Sequence, residues 1–340
     1  MNRKNNFFKD LIGLLLLFFF LILFLMSDTL NNNEMLNDIP RAWINVNTIF
    51  LSIVIEAIPF ILLGVFVSAL IQIYVSEDTI QRFLPRNAIV ALLPAALLGA
   101  ILPLCECAIV PVVRRLIKKG MPLSVGVVFL VAAPILNPVV FASTYFAFRS
   151  ETTNTILYSR MGLAFVLSII IGGILYSIFK NSNQLRSDVT VHHHHHITNI
   201  QKPTFFTRIR DVLHHAVDEF FMMGKYLIIG AFIAALFQTF LDRAILTTIG
   251  QNDYSSTAVM MVFAYLLSLC SEADAFVASS FGRQFTDMSL VAFLVYGPML
   301  DLKNTIMLFA FFKSRFVITF MITVTVVVFA AVVILFGFIL

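Results

Sequence analysis

Nine stretches of this chain are long and apolar enough to call for lipid as their solvent: residues 7–26, 46–75, 88–113, 121–148, 155–179, 216–241, 257–281, 288–312 and 315–340. A membrane-spanning helix takes about 20 mostly apolar residues. Over all 340 residues the chain is 59% hydrophobic and 12% charged, with a mean hydropathy of +0.93. A soluble domain runs at roughly 45–50% apolar and about 25% charged. A soluble enzyme, a secreted domain and a disordered chain are therefore excluded. The net charge of +4 is no signal for nucleic acid, because the cations gather in the short connections, where they set topology. Three cysteines in apolar surroundings make no disulfide scaffold.

The stretch at 7–26 follows Arg3, Lys4 and Lys9 and continues into Leu25-Met26-Ser27-Asp28 with no small-x-small cleavage site, so it reads as an uncleaved anchor. Two other stretches read differently. Residues 88–113 carry Pro94, Pro103 and Pro111 around LPLCECAIVP, and 257–281 carry LCSEADAF at their middle. Proline breaks helices, and carboxylates at bilayer depth are costly. Broken backbone at that depth survives only against protein or a watery cavity. Both stretches are expected to be re-entrant hairpins or broken helices.

The chain also repeats itself. FLVAAPILN at 129–137 matches FLVYGPMLD at 293–301, Leu104-Cys105 matches Leu269-Cys270, and Gly64 and Gln72 fall opposite Gly230 and Gln238. All these matches come in order, at offsets of 164 to 166 residues, which points to an internal duplication. The expected organisation is an anchor helix and external loop at 1–44, a first membrane repeat at 45–179, a cytosolic connector at 180–212 and a second repeat at 213–340. With three spans and one hairpin per repeat, 16 of the 23 Lys and Arg residues lie inside, while Arg41, Arg149, Arg160, Arg243 and Arg283 lie outside. An odd number of spans turns the second repeat upside down. The fold expected is an all-α polytopic membrane protein, an inverted-repeat transporter with two re-entrant or broken-helix hairpins.

Inversion brings the two hairpin tips together near the bilayer midplane, where transporters of this build hold their solute. The tips carry Cys105, Glu106 and Cys107 from one repeat and Cys270, Ser271, Glu272 and Asp274 from the other. Thiolates suit soft or borderline ions and trivalent metalloids; carboxylates compensate cationic charge or carry protons. Cys105, Cys107 and Cys270 are thus candidate metal or metalloid ligands, although a single cysteine is commonly a small buried hydrophobe. Helix breaks at PILNP and PMLDLKN add Asn137 and Asp301 at equivalent positions as gate or site residues, with Asp301 and Lys303 able to neutralise each other. Glu56, near mid-span, is a candidate proton-coupling group or a partner in a structural hydrogen bond. Asp218, Glu219 and Lys225 sit toward the inner end of their span, where they can snorkel. His192, His193, His194, His195 and His196 form a tract that could bind divalent metals or be a low-complexity loop. No glycine-rich phosphate loop is present, so the chain does not drive transport by its own ATP hydrolysis. No cofactor is called for.

The segments PLCECAIVPVVRRLIKKGMPLSVGVVFLVAAPILNP (103–138), SLCSEADAFVASSF (268–281) and GPMLDLKN (297–304) resemble a family of predicted bacterial permeases that includes the organoarsenical efflux permeases. The resemblance runs from about residue 45 to 340. It implies a multi-pass permease of the bacterial plasma membrane, in some members working with a second membrane subunit. It carries the cysteine pair of the arsenical exporters onto Cys105 and Cys107 by motif position. This chain departs from that pattern in placing Glu106 between them, where a small residue is usual, which favours a cation over a neutral methylated arsenical. The function expected is a permease for a soft metal ion or metalloid. A small organic solute or a role as one subunit of a two-component permease are alternatives, and an intramembrane thiol oxidoreductase ranks lower.

Overall fold

The computed structural model describes residues 41–74, 90–101, 104–148, 153–180, 182–186, 205–240, 252–282 and 284–339. The expected anchor, Pro103, the histidine tract and Arg283 lie outside the described residues. The described chain is helical, apart from one isolated bridge between Leu185 and Phe312. Its helices are α1 (Arg41–Tyr74), α2 (Leu92–Ile101), α3 (Glu106–Lys118), α4 (Leu123–Leu136), α5 (Pro138–Ala147), α6 (Thr153–Phe179), α7 (Phe205–Phe240), α8 (Asp253–Leu267), α9 (Asp274–Ser280), α10 (Asp287–Met299), α11 (Leu302–Phe311) and α12 (Ser314–Ile334), the last running into a π-helical turn, Leu335–Ile339.

Among the described residues, six segments are long and apolar enough to cross a membrane: Arg41–Ile71, Leu123–Ala147, Asn154–Phe179, Ala216–Phe240, Asp287–Phe311 and Ser314–Gly337. Two of them are broken, α4 giving way to α5 at Asn137 and α10 to α11 at Leu300-Asp301. The stretches 88–113 and 257–281 each form two helices, as expected, and two of the three prolines of the first lie within its helices. Pro111 sits inside α3 and Pro94 inside α2. The first break ends at Cys105, in extended conformation, and the second begins at Ser268, whose φ of 48° is left-handed.

Packing follows one scheme twice. α4 and α10 are buried almost throughout and lie against each other at the centre. α2 packs on α4 and α6 as α8 packs on α10 and α12; α3 packs on α4 as α9 packs on α10; and α3 lies against α11 as α9 lies against α5. The long helices α1 and α7 pair with each other on the outside of this body. Glycines let α1 approach α3 and α7 approach α11 closely: a Cβ on Gly64 would come within 2.6 Å of Ala108 Cα in α3, and one on Gly230 within 3.1 Å of Lys303 Cα in α11.

Candidate functional site

The four helix breaks face the middle of the body and satisfy one another. Asn137 ends α4 and caps α5, its side chain accepting from the Val140 N–H at 2.9 Å. Asp301 does the same for α11, accepting from the Asn304 N–H at 2.6 Å. The residues expected at equivalent gate positions thus do the same local job, tying down backbone donors freed by a break. Ser268, at the break after α8, accepts from the Leu302 N–H at 3.1 Å, which joins two breaks directly. Gln238, on α7, donates to the Leu267 carbonyl beside it.

At the centre, Lys303 Nζ lies 3.8 Å from Glu106 Oε1 and 3.6 Å from Asp301 Oδ2. All three side chains are buried. Ser271 Oγ completes the group, donating to Glu106 Oε2 at 3.5 Å. Cys105 and Cys107 flank Glu106, and Cys107 and Cys270 lie in the electrostatic neighbourhood of Lys303. All three cysteines are free thiols and buried. Cys270 donates to the Glu272 carboxylate two residues on. The two tips therefore meet, and bring together Cys105, Glu106, Cys107, Cys270, Ser271, Glu272 and Asp301. The charge expected on Glu106 for a cationic solute is answered by Lys303, because an ammonium held so close in a low-dielectric interior compensates it. Among the described residues, no three His, Cys, Asp or Glu side chains are disposed to hold a metal ion. Two buried acceptors at the centre, Asp301 Oδ2 and Asn304 Oδ1, have no hydrogen-bond donor.

Asp274 belongs to a neighbouring group. It takes the Arg160 guanidinium on both carboxylate oxygens, at 2.9 and 3.0 Å. Arg160 also donates to Thr144 Oγ1 at 2.7 Å and to the Ser271 carbonyl at 3.1 Å. Expected in an outer connection, Arg160 is instead fully buried and pins α9 to α5 and α6. Its place inside the apolar stretch 155–179 was the usable signal, since a cation within a span needs a buried anion. A third ionic group corrects the snorkelling expectation for Glu219, which is 2% exposed. It accepts from Arg115 at 2.9 Å and Ser68 at 2.8 Å, with Arg114 at 3.8 Å. Arg114 in turn stacks over the Phe311 ring, 4.5 Å from its centroid.

Glu56 lies at the margin of the central group, within electrostatic range of Cys107. It lies on the exposed side of α1, fifteen residues from either end of its span, and no hydrogen bond to a neighbouring helix forms among the described residues.

Six apolar spans among the described residues, with buried charge gathered where helices break, make this a multi-pass α-helical membrane protein, the construction of membrane transporters. Residues 42–337 match the family described as predicted permease, and the chain belongs to that family. It is a permease, a transporter rather than an enzyme. It is 49% identical over 289 residues to the UPF0718 protein YcgR of Bacillus subtilis (strain 168), covering 85% of this chain and 96% of that one. It is 39% identical over 286 residues to a Streptococcus mutans serotype c protein provisionally named a two-component membrane permease complex subunit, covering 84% of this chain and 93% of that one. These relatives are bacterial, and a helical multi-pass permease of bacteria resides in the plasma membrane. No solved structure matches.

Proposed function

We propose that this permease moves a small solute with a soft, thiol-binding centre, a metalloid species in preference to a bare metal cation, past the Glu106–Lys303 pair by alternating access. The observation that carries the reading is the company Lys303 keeps: a buried ammonium paired with Glu106 and Asp301, with the Cys107 and Cys270 thiols within electrostatic range. Thiols select soft centres. The ammonium opposes a second cation but suits oxygen atoms carried by a metalloid. Cys105, Cys107 and Cys270 would engage the soft centre, and Glu106, Ser271, Glu272, Asn137 and Asp301 the polar remainder. Inverted repeats explain why two similar tips meet at one site. Asp274, paired with Arg160, holds the second tip in place.

The test is the metal and metalloid content per cell of a deletion strain, the same strain re-expressing the protein, and one expressing C105S/C107S. A cysteine-dependent fall in arsenic or antimony content on re-expression supports efflux of a metalloid, and a rise supports uptake. A cysteine-dependent change confined to zinc or copper overturns the preference for metalloids. No change for any element overturns the soft-centre reading and leaves a permease for an organic solute.

The provisional name of the Streptococcus mutans relative favours a second membrane subunit as partner. Affinity purification of the tagged chain from its native membrane, compared with an unrelated tagged permease, tests it: a stoichiometric second membrane protein supports the partnership.

A further inference from the structure

Among the described residues, five carboxylates fall within the six spans, and four of them have an evident place. Glu219 and Asp301 are buried against cations. Asp218 and Asp287 stand within two residues of a span end. The fifth, Glu56, is exposed at mid-span and has neither an ion pair nor a hydrogen bond within the described chain.

Glu56 ends a polar stripe. Asn45, Thr48, Ser52 and Glu56 follow one another at steps of three and four residues, which keep one helix face, and all four are exposed. The stripe covers about 16 Å of helix, from near the Arg41 end of α1 to its middle. Beyond it the same face continues through Leu63 and Phe66, good company for acyl chains. The body lies on the opposite face, met by Ala57, Ile61, Gly64 and Val65. Thr48 donates its hydroxyl to the Ile44 carbonyl of its own helix at 2.9 Å. Asn45 and Ser52 share the state of Glu56, exposed and without a hydrogen-bond partner among the described residues.

A polar side chain at this depth faces protein or water, and an intramembrane charge pairs with another charge. Three occupants could cover the stripe, and their chemistry separates them. The expected anchor at 7–26 offers no polar side chain from Leu11 to Met26. A second copy, inserted the same way up, would meet the stripe with itself about a two-fold axis and set Glu56 against Glu56. A helix of another membrane protein can bring a cation to the level of Glu56 and hydrogen-bonding groups to Asn45 and Ser52, and the small Ser52 lets it come close.

We propose that the Asn45–Thr48–Ser52–Glu56 face of α1 is the docking seat for a spanning helix of a second membrane subunit, one that carries a basic residue level with Glu56. This rests on the two-component reading of the chain. Glu56 lies within electrostatic range of Cys107, so the docked helix borders the thiol-bearing centre.

The experiment asks where the partner sits, apart from whether one exists. The tagged chain is expressed in its own cells with photoreactive benzoylphenylalanine in place of Ser52, or in place of Ile322 on the exposed side of α12. Irradiated native membranes from the first strain yield an adduct with the same membrane protein that co-purifies with the unirradiated chain, and those from the second yield none. The cross-linked partner peptide lies in an apolar span with a Lys, Arg or His within about two helical turns of the attachment. E56L lowers the partner recovered per chain by about threefold or more, the worth of one interhelical hydrogen bond. The purified E56L chain alone unfolds at or above the parent's midpoint, which separates lost docking from misfolding. A lower midpoint gives Glu56 a partner inside the chain and overturns the seat. An adduct at twice the chain's mass, or one within the chain, overturns it in favour of a second copy or the anchor. A partner that co-purifies, gives no adduct from Ser52 and tolerates E56L overturns the seat and leaves the two-component reading standing. Absence of any co-purifying membrane protein overturns both.

Discussion

The ammonium of Lys303 lies 3.8 Å from the carboxylate of Glu106, joining the broken second half of one long span to the tip that opens α3. Both groups are buried, and Asp301 is the only other carboxylate in ion-pair contact with Lys303 among the described residues. Removing one member of a buried pair costs about 3–5 kcal/mol because the other is stranded, whereas replacing both with apolar groups can be nearly neutral. K303M therefore lowers the unfolding midpoint of the purified protein more than E106Q/K303M does. Thermal unfolding in detergent measures it. With E106Q measured as well, a double-variant loss equal to the sum of the two single losses would show that the two residues are not energetically coupled.

The same logic applies to Arg160 and Asp274, with a different consequence. Here the pair fastens α9 to α5 and α6 through Thr144 and the Ser271 carbonyl as well. D274A strands a fully buried guanidinium and should cost about 3–5 kcal/mol. D274N keeps hydrogen bonding but not charge and should cost less. Expression level and unfolding midpoint should rank parent, D274N, D274A in falling order. If D274N and D274A behave alike, the loss is electrostatic and owes nothing to hydrogen bonding.

Much of the fold was legible because lipid imposes simple rules. Six of the expected spans coincide with helices of spanning length, and the two polar-tipped stretches break. The candidate site was legible because it repeats: Asn137 and Asp301 were singled out by register alone, and both cap the helix after a break. The pairings were not legible. Which buried cation meets which buried anion depends on contacts between distant segments, so Arg160 reads as a loop charge and Glu219 as an interfacial one until the helices are packed. Lys303 was expected to neutralise only its neighbour Asp301, and its reach to Glu106 is what shifts the reading from a cation toward a metalloid.

The two capping residues should differ in sensitivity despite their equivalent place. N137A removes an acceptor for one backbone donor and should cost about 1 kcal/mol, the ordinary worth of such a cap. D301A removes the cap and also one of the two carboxylates around Lys303, so it should cost at least twice as much. Unfolding midpoints of N137A and D301A, measured side by side, check this.

Close approach of α1 to α3 and of α7 to α11 gives the last prediction. At Gly64 a Cβ would sit 2.6 Å from Ala108 Cα and 2.7 Å from its carbonyl oxygen, both backbone atoms that cannot swing aside. At Gly230 the nearest atom, Lys303 Cα, is 3.1 Å away, a distance that a few tenths of an ångström of adjustment relieves. Adding a methyl group to a packed interior costs about 1–3 kcal/mol when neighbours must move. G64A should therefore fall at the upper end of that range and G230A at the lower end. In the same two proteins, G162A, which meets nothing within 4 Å, serves as the reference and should match the parent or gain slightly in helix stability. G64A must also disturb function more than G230A in any transport assay, because its displacement moves α3, the helix that presents Cys107 and Glu106, against α1. A G64A protein as stable as G162A would mean that α1 and α3 do not meet as closely as the packing of Gly64 on Ala108 requires.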